Sequence, residues 1–574
     1  MKSHSSFIVS VSKRNNIEKV QETRITEKRS EQGSNHTHFD LRKSLVENLF
    51  VMLERAIIKF IDPPLHLSVD PNHVLCDNFG PVDELSPTEC DIIHGSSSIL
   101  SSLEGVYIRI GPNPQFTPNG PHHYFDGDGM MQSLRISKGR ATFCCRYVKT
   151  NKYSFEHQVG SYIVPNIIGG MQDLGPFLAR VVLYNARAIL GHYDMSKGFG
   201  VANTNLAYFG GRVYALCESD LPYEIKVKDD GDIITLGRHD FNGKLTLNMT
   251  AHPKVDPNTK EAFAFRYWAT RPYLTYFRFD ANGNKQPDVP IFSMKQSSLT
   301  HDLAITQKYA IIFDIQLGVD PMNFIRGRHL ISVDPTKVPK IGILPRYATN
   351  ESEIKWFDAP GINILHVVNA WDDIDDDGSE VIVLVASNIL HVEHFMERLY
   401  MTEPSMEIVT IHFGTGTVSS KSMLIDNLEF PVINQAYVGK KNSLAIQVFY
   451  SAINEKTPTK TSMRRTLGVV KLDIFASENN KDKHKHIVAS RMYGENCFGG
   501  EPFFVARDPE DPNSEEDDGY VVSYVHDESS GESKLLVMDA RSPSLEIVAQ
   551  VKLPQRVPYG LHGIFIREKT FKKI

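Results

Sequence analysis

The 574-residue chain contains no apolar run of the roughly 18 to 20 residues that a membrane-crossing helix requires, so no segment reads as a transmembrane span. It also has no continuous basic face. Its 62 Lys and Arg are interspersed with 69 Asp and Glu for a net charge of −7, and nucleic acid is not an expected partner. Cysteine is sparse: Cys76, Cys90, Cys144, Cys145, Cys217 and Cys497 form no CxxC pair, no zinc-finger spacing and no dense disulfide pattern. A zinc ribbon and a disulfide scaffold are thereby excluded, and a reducing compartment is favoured. The adjacent Cys144 and Cys145 read as strand packing.

The first 17 residues are rich in Ser, Lys and Arg and lack acids, as in an organelle transit peptide, although Glu18, Glu22 and Glu27 follow closely. Residues 1–38 read as such a peptide or as a disordered polar tail. Asn35 and Asn248 fit the N-glycosylation pattern, but Asn248 lies four residues from His252, a candidate metal ligand, and is expected to be buried.

From Phe39 to Pro64 the pattern changes. Leu41, Leu45, Leu49, Met52, Leu53, Ala56, Ile57 and Phe60 recur at three- and four-residue steps, which predicts an amphipathic helix ended by Asp62-Pro63-Pro64. A second helix is predicted over 173–192. Either the helices pack on the main domain, or their apolar faces lie in a membrane surface.

The remainder reads as many short strands. Past residue 200 an apolar strand repeatedly ends in a turn, with markers at Asp280, Asp334, Gly414, Asp473 and Asp539, at steps of 54, 80, 59 and 66 residues. Irregular blades of four strands with long loops give such a period, so one β-propeller domain over 65–574 is expected. No linker is long enough to divide it.

Four histidines stand at the edges of strand-like apolar runs: His252 in Asn-Met-Thr-Ala-His-Pro, His301 in Leu-Thr-His-Asp-Leu, His366 in Ile-Leu-His-Val-Val and His562 in Gly-Leu-His-Gly-Ile. The first strands of successive propeller blades converge on the axis, so one histidine from each of four blades, with two blades skipped before the last, would ring it. Four neutral imidazoles suit Zn, Cu, Fe or Ni. Such ligands are held through their second nitrogen, and Glu218, Glu429 and Glu501, flanked by apolar or small residues, are the candidate partners. As a different class, a propeller used only as a binding scaffold satisfies the same repeat pattern.

The motifs Arg109-Ile-Gly-Pro-Asn-Pro, Tyr124-Phe-Asp-Gly-Asp-Gly-Met, Gly-Arg-His-Asp-Phe-Asn-Gly-Lys-Leu (237–245), Gly-Gly-Glu-Pro-Phe-Phe-Val (499–505) and Gly-Tyr-Val-Val-Ser-Tyr-Val-His-Asp (519–527), with the four histidine segments, resemble the carotenoid cleavage dioxygenases, and most closely their plant plastid type-four branch. The resemblance runs from about Asn78 to the C-terminus. It implies an all-β fold, a seven-bladed propeller with a helical dome over the metal. It implies Fe(2+) held by His252, His301, His366 and His562, with Glu218, Glu429 and Glu501 orienting three of them. It implies O2-dependent cleavage of a carotenoid or apocarotenoid double bond, at 9,10 and/or 9′,10′, with 11,12 cleavage of a 9-cis-epoxycarotenoid as the alternative. A plastid location, including the plastoglobule, is implied, with the cytosol as the alternative.

Two positions depart from the family's pattern. Ile110 stands where Asn is usual, which puts a loop hydrogen bond in question. Leu561 stands where Phe commonly precedes the last histidine, and is expected to widen the substrate tunnel near the iron.

Overall fold

The structure, a computed structural model, describes residues 45–571 except 167, 172–173, 327–328, 397, 427, 442–446, 454–464, 476–485 and 512. The proposed tail at 1–38, Asn35 and the first residues of the expected helix at 39–64 lie outside them. All described strands fall in the compact unit Ala56–Ile574.

Four separate four-stranded antiparallel sheets form blades II to V, and one 14-stranded sheet holds the strands of blades I, VI and VII, four to a blade. Blade II holds Asn205–Phe209, Arg212–Leu216, Tyr223–Val227 and Ile233–Arg238. Blade III holds Lys254–Val255, Ala262–Tyr267, Leu274–Phe279 and Val289–Ile291. Blade IV holds Ala304–Ile305, Tyr309–Asp314, Lys340–Pro345 and Lys355–Asp358. Blade V holds Ile364–Ile374, Glu380–Leu390, Glu403–His412 and Thr417–Asp426. Blade VI holds Leu428–Val432, Gln447–Ile453, Thr466–Asp473 and Ile487–Met492, and blade VII holds Phe503–Ala506, Gly519–Asp527, Glu532–Asp539 and Ile547–Lys552.

Blade I joins the two ends of the unit. The late strand Gly563–Arg567 pairs with Gly105–Pro112, which continues into Gly129–Ser137 and Arg140–Tyr147. A further strand, Leu85–Gly95, pairs with both Arg140–Tyr147 and Ile547–Lys552, tying blade I to blade VII.

The core confirms the ring. Seven apolar clusters fill the seven gaps between neighbouring blades: Ile108 meets Ile225 between I and II, Phe209 and Tyr214 meet Phe277 and Phe279 between II and III, and Phe265 meets Ile312 between III and IV. Ile343 and Leu384 share the IV–V cluster, Trp371 and Leu472 the V–VI cluster, Val469 and Val521 the VI–VII cluster. Tyr524, Phe143 and Tyr107 close the circuit between VII and I. Strands covered on both faces explain runs such as Gly-Tyr-Val-Val-Ser-Tyr-Val, which do not alternate cleanly.

Four of the five turn markers end the third strand of their blades, at Asp280, Gly414, Asp473 and Asp539. Asp334 does not: it follows a small ribbon, Leu317–Val319 with Ile331–Val333, inserted in blade IV. Counted to Pro345, the true end of that blade's third strand, the steps of 54 and 80 become 65 and 69.

Both predicted helices form among the described residues. Helix α1 is described over Leu45–Phe60. Helix α2 is described over Leu174–Ile189 and ends short of the expected 192, because Gly191 turns left-handed at φ +76° and ends it. Their apolar residues are largely uncovered. Leu45 and Phe60 on α1 are 85% and 75% exposed, and Val182 and Ile189 on α2 are 68% and 85% exposed.

Candidate metal centre

Each blade sends one residue to a common point. His252 lies two residues before the first strand of blade III and His301 three residues before that of blade IV, His366 lies within the first strand of blade V, and His562 directly precedes Gly563–Arg567 of blade I. The two blades skipped between His366 and His562 supply Glu429 from the first strand of VI and Glu501 from the segment entering VII. Blade II supplies Glu218, just past Arg212–Leu216.

Local chain geometry aims these side chains. The register of blade V slips between Ile364 and His366, a bulge that turns the imidazole off the ordinary alternation. Phe430 adopts φ +53° beside Glu429 and donates its amide to Glu429 Oε2 at 2.9 Å. Asp302, next to His301, accepts from the Val367 amide at 2.9 Å and pairs with Lys254 at 2.8 Å, joining three ligand-bearing blades through one carboxylate. Thr250 Oγ1 accepts from the His252 amide at 3.0 Å and lies 3.2 Å from the His301 carbonyl.

One potential ligand atom from each of the four imidazoles lies within 4.8 Å of the others. That spread is little wider than the ~4 Å between opposite ligands of a single ion. The ring centroids of His252 and His301 stand 4.4 Å apart, and those of His252 and His562 4.6 Å. Outward, His301 Nδ1 meets Glu218 Oε1 at 2.5 Å, His366 Nδ1 meets Glu429 Oε2 at 3.2 Å, and His562 Nδ1 meets Glu501 Oε1 at 2.8 Å. A carboxylate at Nδ1 keeps the proton there and leaves the Nε2 lone pair facing the centre. Among the described residues no carboxylate meets His252; its Nδ1 lies 3.5 Å from the Asn205 amide nitrogen.

Burial and the three neighbouring imidazoles hold His252 well below the ordinary histidine range, and burial lowers His366. Burial also pushes His301 down, but the Glu218 carboxylate outweighs it and the pKa rises. Glu429, which burial alone would raise, is held below the usual carboxylate range by His366. The Nε2 atoms of His252 and His366 are buried without a hydrogen-bond partner. Orphaned acceptors at the heart of a core are rare, and a divalent cation fits these two lone pairs together with the nitrogens of His301 and His562 beside them.

Residues 79–567 match the family described as RPE65, retinal pigment epithelial membrane protein. The chain belongs to this family, the carotenoid oxygenases. It is 52% identical over 536 residues, 92% of this chain and 87% of the relative, to the probable carotenoid cleavage dioxygenase 4, chloroplastic, of Arabidopsis thaliana. It is 48% identical over 525 residues, 90% and 79% of the two chains, to the 9-cis-epoxycarotenoid dioxygenase NCED1, chloroplastic, of Oryza sativa subsp. japonica. Among solved structures, the lignostilbene dioxygenase of Pseudomonas brassicacearum aligns with a TM-score of 0.71 at 21% identity, over 88% of this chain and all of that one. Cobalt-substituted Synechocystis ACO aligns at 0.67 and 23% identity, over 87% and 99%. At these identities the two structures bear on the fold alone.

In this carotenoid oxygenase the histidine centre opens into a cavity of about 550 Å³, within the usual range for a ligand site. His301, His366 and His562 reach its wall, and much of the rest is apolar, with Phe125, Leu299, Ile389 and Phe395 among its members. Leu561 lines it, as does Phe430, whose ring stands 5.8 Å from that of His562 and 6.0 Å from that of His366. Phe430 was not singled out from the sequence; its only signal was adjacency to Glu429. Ile110 needs no side-chain hydrogen bond: its side chain is fully buried, while its backbone accepts from the Leu561 amide at 2.8 Å and donates to the His562 carbonyl at 3.0 Å. Gly111 permits this approach, since a Cβ there would stand 2.6 Å from Gly560 Cα. The other described histidines stay outside the centre. His526 is buried and bonded to Ser533 at 2.9 Å, and His239 is half-buried beside Arg212.

Proposed function

We propose that this chain is an Fe(II)-dependent dioxygenase that cleaves a carotenoid or apocarotenoid double bond, at 9,10 and/or 9′,10′, to give apocarotenoid aldehydes or ketones. One observation carries the reading: four imidazoles converge beside an apolar cavity, and two of them, His252 and His366, carry buried Nε2 atoms with no hydrogen-bond partner among the described residues. His252, His301, His366 and His562 would hold the metal. Bound there, ferrous iron would supply the activation of O2 that redox-inert zinc cannot.

The chain's own side chains do the rest. Glu218, Glu429 and Glu501 fix the rotation of three rings, so that their lone pairs are set before the metal arrives. The apolar walls exclude water and hold the rod-shaped polyene, whose depth of insertion selects the bond that meets the metal. Cleavage at 9,10 is favoured by the resemblance to the type-four branch and by the 52% identity to a relative of that name. Cleavage at 11,12 of a 9-cis-epoxycarotenoid is the second reading, favoured by the 48% identity to NCED1. Aerobic incubation with β-carotene, violaxanthin and 9-cis-neoxanthin, followed by chromatography, separates them: C13 ketones from 9,10 cleavage support the first, and a C15 aldehyde from 11,12 cleavage overturns it.

Leu561, next to a proposed ligand and on the cavity wall, is assigned to tunnel width. Leu561→Phe is expected to change the ratio of cleavage products across a carotenoid panel by severalfold. An unchanged ratio on every substrate would refute the assignment.

The carotenoid dissolves in lipid, and the uncovered apolar residues of α2 suit docking on a lipid surface. The joint change of Val182 and Ile189 to Asp is expected to reduce co-sedimentation with plastid-lipid vesicles at least threefold. Equal sedimentation would remove this role from the helix. A plastid location agrees with the chloroplastic relatives.

A further inference from the structure

Arg109 is fully buried on the strand Gly105–Pro112 of blade I, directly opposite Gly563, the residue after the proposed ligand His562. Among the described residues its guanidinium enters no ion pair, and its Nε is buried without a hydrogen-bond partner. Its Nη2 donates to the Pro558 carbonyl at 2.5 Å, four residues before His562. Its charge rests over the Tyr524 ring of blade VII, 5.0 Å from the centroid. Burial lowers the guanidinium from the usual arginine value, and the charge of Glu501 is among those that oppose the fall.

A buried cation with an unused donor is costly to the fold, so its presence calls for an explanation. Two glycines supply one. A Cβ at Gly500 would stand 2.5 Å from Arg109 Nη1, and a Cβ at Gly560 would stand 2.8 Å from Arg109 Nε. Neither glycine has a positive φ, so it is the guanidinium, and not a backbone turn, that requires the missing side chain at each. Gly500 immediately precedes Glu501, and Gly560 lies two residues before His562. The guanidinium therefore keeps apart the two segments that carry a proposed ligand and its carboxylate. Those segments meet again at the centre, where His562 Nδ1 lies 2.8 Å from Glu501 Oε1 and the Gly563 amide donates to Glu501 Oε2 at 3.2 Å. A lysine ammonium is a compact point charge on a flexible stem and would leave the space between the glycines unfilled.

We propose that Arg109 is a positioning residue for the metal centre: its guanidinium, wedged between Gly500 and Gly560 and bonded to the Pro558 carbonyl, sets the spacing at which Glu501 meets His562. The proposal rests on the four-histidine reading above. Arg109 acts through that one pair, and the pairs of His301 with Glu218 and His366 with Glu429 are set without it.

The test is the affinity of the full chain for ferrous iron, read by competition with a chelator, with circular dichroism as the check on folding. Arg109→Gln is expected to weaken iron about tenfold, at the lower end of the effects of groups that orient a metal ligand. Arg109→Lys, which keeps the charge and loses the planar fork, is expected to recover only part of that. A double-mutant cycle separates positioning from general support of the fold. Combined with Glu501→Gln, Arg109→Gln should add little further loss, because both act on His562; combined with Glu218→Gln, the two losses should multiply. Unchanged iron affinity in folded Arg109→Gln would overturn the proposal, as would losses that multiply equally with both glutamate variants. Failure of both Arg109→Gln and Arg109→Lys to fold would make Arg109 a support of the whole propeller and overturn its local role. Wild type that binds no iron would instead overturn the metal centre itself, and the positioning role with it.

Discussion

Replacing His252 by alanine is expected to strip the metal and abolish cleavage. Wild-type protein should carry near-stoichiometric iron, and the variant almost none. Among the described residues, His252 is the imidazole whose buried Nε2 has no hydrogen-bond partner and whose outer nitrogen meets no carboxylate, so its place in the cluster is explained by a ligand role and by little else. Burial and three neighbouring rings keep it well below the ordinary histidine range, hence neutral at pH 7, the form that binds a cation. Loss of a direct ligand should exceed the roughly 10–100-fold effects of outer partners. Metal analysis with product chromatography reads the result, and circular dichroism checks that the propeller persists. A metal-free but fully folded wild type would support the scaffold alternative instead.

The second large effect is expected at Glu429. Glu429→Gln keeps the shape and an acceptor oxygen but removes the charge 3.2 Å from His366 Nδ1. Metal affinity should fall about 10–100-fold, measured by competition with a chelator. The sign with pH follows from the lowered carboxyl: its interaction with His366 is fully present above the ordinary carboxylate range and is lost only as pH falls through the depressed folded value. Wild type should therefore retain its folded centre into mild acid. Equal metal affinity of Glu429→Gln and wild type would show that the carboxylate merely fills space.

Much of this centre was legible because its residues break local rules. An imidazole inside Ile-Leu-His-Val-Val and a carboxylate inside Asn-Leu-Glu-Phe-Pro are polar groups where the pattern calls for apolar ones, and such conflicts mark sites. The spacing of His252, His301, His366 and His562 also encoded the ring: the two skipped blades are VI and VII, the ones that supply Glu429 and Glu501. Other features had no local signature. Asp302 sits in an ordinary loop, and its clasp on Lys254 and Val367 exists only once three blades meet. The bulge before His366 depends on which residues of the partner strand oppose it. The ribbon at Leu317–Val319 and Ile331–Val333 ends in the same strand-then-Asp pattern as a blade, so Asp334 passed for a blade marker. The pairing of Leu85–Gly95 with two blades at once arises from tertiary contact alone.

The central claim is that imidazoles from four blades bind one iron. X-ray absorption at the iron edge of the purified, iron-loaded protein reads that coordination directly. The account predicts a spectrum fitted by four imidazole nitrogens, with Glu218, Glu429 and Glu501 one shell farther out. A first shell with three or fewer imidazoles, or with a glutamate oxygen bound in place of one of them, would contradict it.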